Sequence, residues 1–160
     1  MEKSITHNSR ETQRLAAKLT KRILFNKRHL SCATVIGLIG DLGAGKTTFI
    51  QGFAKALGVK QRLISPTFLI MRSYALDAAD YALLYHIDTY RLRKPAELLS
   101  LGFKTILKDS KNIIIIEWAD KIKKFLPKNT YWITFFHGRL PSSRKIIFDQ
   151  KKPLAIDAKG

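Results

Sequence analysis

A glycine-rich motif between two apolar segments constrains the fold of this chain more than any other feature. The motif is Gly40-Asp41-Leu42-Gly43-Ala44-Gly45-Lys46-Thr47-Thr48, and it matches the pattern G-x-x-x-x-G-K-[ST] in full. The β-branched segment 34–39 before it predicts a buried strand, and residues 46–57 predict a helix that stops at Gly58. Successive backbone N–H groups in such a turn point at phosphate oxygens, and a helix N-terminus attracts anions. The motif therefore predicts a site for the phosphates of ATP.

Side chains in this motif and one outside it indicate contacts with the phosphates and with a magnesium ion. Lys46 supplies a flexible ammonium that can reach the β- and γ-phosphates, and Thr47 presents a hydroxyl oxygen to Mg²⁺. In proteins with such loops a carboxylate is the second magnesium ligand, and it usually follows a neighbouring apolar strand. Glu117 follows four isoleucines, 113–116, at the carboxyl end of a strand, where α/β sheets bind ligands. We therefore expect Glu117 to bind Mg²⁺ through water or to polarise the attacking water.

Hydrophobic periodicity divides the rest of the chain into alternating helices and strands. Ser9 is expected to cap the first helix, and Gly102 to end or kink the helix that Pro95 opens. Apolar strands that alternate with helices indicate the α/β class, as a three-layer α/β/α P-loop NTPase with a mainly parallel central sheet. No repeat or linker interrupts the pattern, so residues 1–160 are predicted to form a single P-loop ATPase domain. The other predicted elements are helices 9–24, 95–101 and 120–125, strands 69–74, 81–87, 112–117, 131–136 and 145–148, and a turn at 77–80.

The composition argues against several classes of protein. A chain of 160 residues fits one core, and a hydrophobic content of 46% argues against disorder of the whole chain. No apolar run approaches the roughly 20 residues that a membrane span needs, and residues 1–10 lack the apolar stretch of a signal peptide. The single cysteine, Cys32, cannot form an internal disulfide. Together these features predict a cytoplasmic protein with no membrane contact.

The formal net charge of +17 admits two interpretations. A strongly basic domain is typical of proteins that bind RNA or an acidic partner. RNA-binding surfaces usually interleave exposed aromatic residues with arginines, a pattern that this sequence lacks, and its lysines are scattered along the chain. The pattern therefore favours a lysine-rich compositional bias over an RNA-binding face. Any binding of RNA is expected to be weak and steeply dependent on salt.

Three further segments accompany the glycine-rich motif in a recognisable order. They are Ser65-Pro66-Thr67-Phe68, His86-Ile87-Asp88-Thr89-Tyr90-Arg91-Leu92 and Ile116-Glu117-Trp118. Together, at these separations, the four segments resemble the TsaE family, the bacterial ATPases of tRNA threonylcarbamoyladenosine biosynthesis. The resemblance covers most of the chain, from the first helix to about Phe148.

The resemblance implies a role for each motif. In the family the loop binds ATP, the residues that match Thr47 and Glu117 hold Mg²⁺, and the aspartate that matches Asp88 is implicated in catalysis. The segment 65–68 is similar to a switch loop near the γ-phosphate. Family members act with TsaB and TsaD, and hydrolysis supports repeated tRNA modification, so direct contact with tRNA is expected to be absent or weak. One position departs from the family pattern, because Lys104 stands where an acidic residue is usual.

Several alternatives remain open from the sequence alone. Asp88 either acts on water at the strand end or forms a turn carboxylate that pairs with Arg91. His86 is expected to be a core or surface imidazole, and Trp118 either stacks near the nucleotide or fills the core. Besides an ATPase that drives a partner complex, two other functions fit the loop. They are a small-molecule kinase on a P-loop scaffold and an RNA-binding module with a secondary ATP site.

Overall fold

Seven strands and four α-helices make up the described part of the chain. The computed structural model describes residues 1–25 and 31–149. The strands are β1 (Glu2–Thr6), β2 (Thr34–Gly40), β3 (Met71–Ala78), β4 (Tyr81–Asp88), β5 (Asn112–Glu117), β6 (Tyr131–His137) and β7 (Arg144–Asp149). The helices are α1 (Ser9–Phe25), α2 (Lys46–Ala56), α3 (Pro95–Ser100) and α4 (Phe103–Lys108), with a 3₁₀ segment at Ala119–Phe125.

The strands form one sheet whose middle is parallel. They lie in the order β1-β7-β6-β2-β5-β4-β3, and the neighbours β6, β2, β5 and β4 run parallel to one another. β3 runs antiparallel to β4, β7 runs antiparallel to β6, and β1 runs antiparallel to β7. All strands except β3 and β7 therefore share one direction, which confirms the predicted mainly parallel sheet. Every residue of β5 is buried, as expected for a parallel strand that is covered on both faces.

Helices cover both faces of the sheet and bury two apolar clusters. α1 and α2 pack over one face, where Leu19 and Phe53 are buried. α3, α4 and the 3₁₀ segment lie over the other face, where Leu98, Phe103 and Ile122 join side chains of β5. Each Å² of apolar surface removed from water stabilises the folded chain by roughly 25 cal/mol, so both layers are held on mainly by this burial. The predicted three-layer α/β/α arrangement is confirmed.

The first helix and the Pro95 helix differ in detail from the sequence prediction. Helix α1 begins at Ser9, but Asn8 caps it, because Asn8 Oδ1 accepts a hydrogen bond of 2.9 Å from the backbone N–H of Glu11. Gly102, with a φ of 81°, ends α3 and directly precedes α4, a second short helix that the sequence does not predict. Strand β1 is also absent from the predicted elements, and it pairs with β7 at the edge of the sheet.

The strand predicted at 69–74 begins later and ends later than expected. Ile70 has a φ of 67°, and its N–H donates to the carbonyl oxygen of Pro66 at 2.6 Å, so the chain turns there. β3 starts after this turn and continues to Ala78. The turn predicted at 77–80 is therefore wrong in its first half, where the strand continues.

The described helices carry no membrane-spanning segment. None of them, within residues 1–25 and 31–149, is long and apolar enough to cross a bilayer. The predicted domain 1–160 also contains residues 26–30 and 150–160, which lie outside the described ranges, and the single-domain assignment stays a prediction.

Candidate functional site

The carboxyl ends of three neighbouring parallel strands meet at one edge of the sheet. β2 ends at Gly40, β5 at Glu117 and β4 at Asp88. Leu38 of β2 pairs in register with Glu117, and Asp88 pairs with Glu117 from the other side. Open α/β sheets bind ligands in the crevice at such an edge. The topology thus brings the glycine-rich loop and both predicted carboxylates to one place.

The loop between β2 and α2 turns tightly because its glycines adopt backbone conformations that other residues resist. Gly40 has a φ of 147°, and a Cβ atom there would lie 2.6 Å from the carbonyl oxygen of Phe135. Gly45 has a φ of 101° at the position that precedes α2. The first N–H groups of α2 have no acceptor within the helix, so they remain available to an anion.

Lys46, the first residue of α2, is only 4% exposed. Its Nζ donates to the carbonyl oxygens of Gly40 (2.6 Å) and Asp41 (2.9 Å), and it lies 3.9 Å from the centre of the Trp118 ring. Burial lowers the pKa of Lys46 below its usual value, and the nearby Glu117 carboxylate opposes that shift. A buried ammonium that contacts neutral carbonyls and a ring face is well suited to accept a charged partner such as a phosphate.

The two carboxylate oxygens of Glu117 contact different partners. The Thr47 hydroxyl donates to Oε2 at 3.3 Å, and Nε2 of His86 lies 2.9 Å from Oε1. Glu117 is 4% exposed and His86 is fully buried, and hydrogen bonds to charge are strong in such surroundings. His86 thereby fixes one oxygen and leaves the other directed at Thr47. The sequence alone assigns His86 no such contact, and its only signal is the two-residue spacing from Asp88 on β4.

Both oxygens of Asp88 accept hydrogen bonds from nearby groups. Oδ2 accepts from the Thr67 hydroxyl at 2.7 Å, and Oδ1 accepts from the backbone N–H of Tyr90 at 2.8 Å. Arg91, the alternative partner for this carboxylate, lies over the ring of Phe68, with 4.3 Å between the guanidinium carbon and the ring centre. The segment that resembles a switch loop therefore contacts the strand-end carboxylate through Thr67.

Trp118 lies beside the loop and outside both apolar clusters. Its ring faces the Lys46 ammonium, and the Tyr90 ring packs against it with 5.0 Å between centres. Trp118 has a φ of 59°, which is unfavourable for a bulky residue, and the Thr89 hydroxyl holds it by donating to its carbonyl oxygen at 2.7 Å. The structure thus places Trp118 beside the loop and not in the core, and stacking near the nucleotide stays a prediction.

The remaining candidate residues differ in exposure and position. Arg139, which the sequence also offers for contact with the nucleotide although without a specific motif, is exposed in the turn between β6 and β7. Arg144 lies beside the loop instead, with its Nε 3.6 Å from the position of a Cβ on Gly45. No sequence signal marks Arg144, because the pairing of β7 with β6 brings it there. Of the predicted loop residues, Asp41, Leu42 and Gly43 are exposed, Gly40, Gly45, Thr47 and Thr48 are partly buried, and Ala44 and Lys46 are buried.

The oxygen donors at the sheet edge fit a hard divalent cation that keeps most of its water. Thr47 and Glu117 offer oxygens 3.3 Å apart, and Asp88 adds a second buried carboxylate at the adjacent strand end. Within the described residues, no group of three His, Cys, Asp or Glu side chains could hold a metal by itself. Mg²⁺ usually binds one or two protein oxygens together with substrate phosphates and water. The arrangement therefore suits Mg²⁺ that arrives with a triphosphate.

Comparison with known proteins identifies the family of this chain. Residues 6–146 match the profile of the family described as Threonylcarbamoyl adenosine biosynthesis protein TsaE. The chain belongs to the TsaE family. The match confirms the resemblance seen in the sequence, and the matched range contains the glycine-rich loop, Thr67 and both strand-end carboxylates.

Individual TsaE relatives and a solved structure agree with this assignment. A protein of Rickettsia felis named tRNA threonylcarbamoyladenosine biosynthesis protein TsaE is 37% identical over 123 residues, which cover 76% of this chain and 65% of the relative. A protein of the same name from a Nostoc species is 40% identical over 96 residues, 58% of this chain and 57% of the relative. The chain therefore spans less than two thirds of the length of these relatives. The crystal structure of YdiB from Bacillus subtilis matches with a TM-score of 0.68 at 32% identity, covers 92% of this chain and 83% of that chain, and supports the P-loop NTPase-like fold.

The contact between His86 and Glu117 leads to a prediction for this TsaE-family chain. Replacing His86 with leucine should raise the Mg²⁺ concentration needed for tight nucleotide binding by about 10- to 100-fold, the usual effect of removing a group that orients a metal ligand. Without Nε2 of His86, the Glu117 carboxylate would be free to rotate away from Thr47. Calorimetric titration with ADP at a series of Mg²⁺ concentrations measures the effect.

The His86→Gln variant provides the matched control. A glutamine amide can place an N–H near the position of the imidazole Nε2, so this variant should keep most of the Mg²⁺ dependence. Both variants should bind ADP as the wild type does when Mg²⁺ is absent. An unchanged Mg²⁺ dependence in His86→Leu would show that His86 does not position Glu117.

Proposed function

We propose that this chain binds Mg-ATP at the loop that contains Lys46 and Thr47, and that it hydrolyses the bound ATP. We further propose that hydrolysis supports the TsaB–TsaD complex in the threonylcarbamoyladenosine modification of tRNA. The observation that carries the proposal is the meeting of these two residues with Asp88 and Glu117 at one sheet edge. The family description and the names of the relatives support the pathway, and TsaB and TsaD enter through the family resemblance.

The chain's own groups account for the binding of a triphosphate. The backbone amides of the loop and the start of α2 hold phosphate oxygens. The Lys46 ammonium exchanges two neutral carbonyl partners for charged phosphate oxygens, which are stronger acceptors. Thr47 and Glu117 would hold Mg²⁺, which would offset part of the phosphate charge.

Asp88 is the group best placed to act on the attacking water. It is buried at the end of β4, next to Glu117 in the adjacent strand. Thr67 and the Tyr90 N–H each occupy one site on its oxygens, and a carboxylate has further lone pairs for a water molecule. A fixed carboxylate can orient that water and accept its proton as a general base.

The surface next to Asp88 supports a dependence on partners. Phe68 is 82% exposed and Leu69 is 58% exposed, and both follow Thr67 directly. A partner that covers these side chains would fix Thr67 and, through its hydrogen bond, Asp88. We therefore expect slow hydrolysis by the chain alone and faster hydrolysis in the complex.

A small-molecule kinase is less consistent with these contacts. Such an enzyme needs an acceptor pocket and usually an arginine-rich lid that closes over the phosphates. Arg91, an arginine near the site that could serve in such a lid, stacks on Phe68 instead. The choice between the two functions depends on whether ATP is consumed without an added acceptor.

Measuring ATP hydrolysis with and without purified TsaB and TsaD tests the proposal. We expect slow phosphate release from the chain alone and a stimulation on the order of tenfold or more, still below the 10³–10⁵-fold that an arginine supplied in trans can give. Phe68→Ser should keep the basal rate and lose the stimulation. The control Phe136→Ser, at a phenylalanine of β6 that is 44% exposed, should keep both. ATP consumption only in the presence of a small acceptor would instead identify a kinase.

A further inference from the structure

Positive charge predominates in the helical layer formed by α1 and α2. Between Glu11 and Asp77 the sequence holds a single acidic residue, Asp41, which lies in the glycine-rich loop and not in this layer. The opposite layer, with α3, α4 and the 3₁₀ segment, mixes its lysines with Glu97 and Asp120. The basic residues in the stretch poor in acids are Arg14, Lys18, Lys21, Arg22, Lys27, Arg28, Lys46, Lys55, Lys60, Arg62 and Arg72.

Four of the basic residues form a row along the exposed side of α1. Arg10, Arg14, Lys18 and Lys21 are all exposed, at spacings of four, four and three residues. An α-helix turns by about 100° and rises about 1.5 Å per residue. The four Cα atoms therefore fall within about 80° of the helix circumference and span about 17 Å of its length. We call this set the α1 basic row.

The acidic residues near the α1 basic row are engaged elsewhere. Glu11 accepts hydrogen bonds from the His7 backbone N–H at 2.7 Å and from the Asn8 side chain at 2.9 Å. Glu2 forms an ion pair with Arg22, which does not belong to the row. Among the described residues no ion pair includes a member of the row. The row therefore presents four positive charges without a direct ion pair, and the nearby Glu2 and Glu11 offset only part of that charge.

The same layer lacks the side chains that a protein interface needs at its centre. Interfaces between proteins are anchored by buried aromatic and apolar residues. The large hydrophobic side chains that are exposed in the described chain all lie outside α1 and α2. A nucleic-acid backbone, by contrast, is bound by cations and hydrogen-bond donors alone. A single strand would also call for aromatic residues on which its bases stack, and none is exposed among the side chains of α1 and α2 whose burial the structure describes.

We propose that the α1 basic row binds the phosphate backbone of double-stranded RNA without reading its sequence. Double-stranded DNA carries one negative charge per about 1.7 Å of its axis with both strands counted, and an RNA duplex has a similar density of phosphates. A row of about 17 Å therefore runs along roughly ten phosphate charges, of which it faces those on one side of the duplex. Recognition of RNA duplexes through shape and backbone requires no aromatic contact. This surface does not depend on nucleotide hydrolysis, so the ATPase proposal and the RNA proposal can fail separately.

Charge reversal in the α1 basic row tests the RNA proposal. Combined Arg14→Glu and Lys18→Glu substitutions in the full chain should weaken binding of a short fluorescent RNA duplex by about tenfold or more. The slope of log affinity against log salt concentration should fall by about two, because two phosphate contacts are lost. Fluorescence anisotropy over a series of KCl concentrations measures both quantities.

The other helical layer offers a matched control. Lys104 and Lys108 of α4 are exposed and four residues apart, so their combined replacement by Glu changes the net charge equally and at the same spacing. This control should change duplex affinity less than about threefold and leave the salt slope intact. Equal losses of duplex affinity in the two double variants would show that net charge alone accounts for the effect, and this would overturn the proposal.

Two further probes distinguish duplex RNA from other polyanions. Tighter binding of a single strand of the same length, or equally effective displacement of the duplex by polyglutamate, would overturn the assignment to duplex RNA. Both double variants should unfold within a few degrees of the wild-type temperature, which reports an intact fold. If the double reversal in α1 unfolds the chain, the milder Arg14→Gln and Lys18→Gln variants must each reduce the salt slope by about one for the proposal to hold.

Discussion

Replacing Lys46 with alanine should weaken the binding of ATP by at least roughly 100-fold. Each hydrogen bond to a charged group contributes about 1.5–3 kcal/mol, and this ammonium is expected to reach two phosphates. The side chain is already buried inside the loop, so no rearrangement of α2 is required before it meets a ligand. Calorimetry with a non-hydrolysable ATP analogue in the presence of Mg²⁺ measures the loss.

The same variant should remain folded, and this separates binding from stability. Because burial lowers the pKa of Lys46, the folded state binds this proton less tightly than the unfolded state. The charged ammonium therefore opposes folding at neutral pH, and this opposition falls as the pH rises through the lowered pKa. The unfolding temperature of Lys46→Ala should stay within a few degrees of wild type.

Lys55→Ala, at an exposed position of the same helix, provides the binding control and should bind ATP normally. Normal binding of ATP by Lys46→Ala would refute the phosphate site.

The parts of the fold that the sequence predicts well are those set by local patterns. The isoleucines of β5 can only be buried, and a glycine-rich loop between a strand and a helix has few possible conformations. Their order also implies that Glu117 and the loop end at the same sheet edge. The fold class and the meeting place of the candidate site follow from these patterns together.

The parts that the sequence misses depend on contacts between distant residues. β1 has little apolar content, and only its pairing with β7 makes it a strand. The contact of His86 with Glu117 depends on the register between β4 and β5, and Arg144 reaches the loop through the pairing of β7 with β6. Hydrophobic periodicity shows which face of a strand is buried, but it does not show which strand lies beside it. Neither register can therefore be obtained from it.

The interpretation of the charge changes for a related reason. Along the linear sequence the lysines and arginines look scattered, and the sequence favours compositional bias. In the structure, the four residues of the α1 basic row lie on one exposed side of helix α1. No aromatic side chain of α1 or α2 whose exposure is described is exposed, which counts against single-stranded RNA and carries no weight against a duplex.

Replacing Asp88 with asparagine should slow ATP hydrolysis by about 10²–10⁴-fold and leave ATP affinity within a few-fold of wild type. Asparagine keeps the shape of the side chain and one carbonyl oxygen for the Tyr90 N–H. Its amide can donate to the Thr67 hydroxyl, which is able to accept. Only the negative charge and the capacity to take a proton from water are lost. Single-turnover hydrolysis, measured beside equilibrium binding, separates the two quantities.

The surroundings of Asp88 determine how this result is interpreted. Asp80→Asn makes the same charge change in the exposed turn between β3 and β4, and it should alter neither rate nor affinity. Weakened binding with an unchanged rate constant would assign Asp88 to the ligand and not to the water. Thr67→Val keeps the carboxylate and removes its hydrogen bond, so it should slow hydrolysis less than Asp88→Asn does. If partners act through the hydrogen bond from Thr67 to Asp88, TsaB and TsaD should stimulate Thr67→Val little or not at all. Asp88→Asn should stay slow with and without them, because it lacks the base itself.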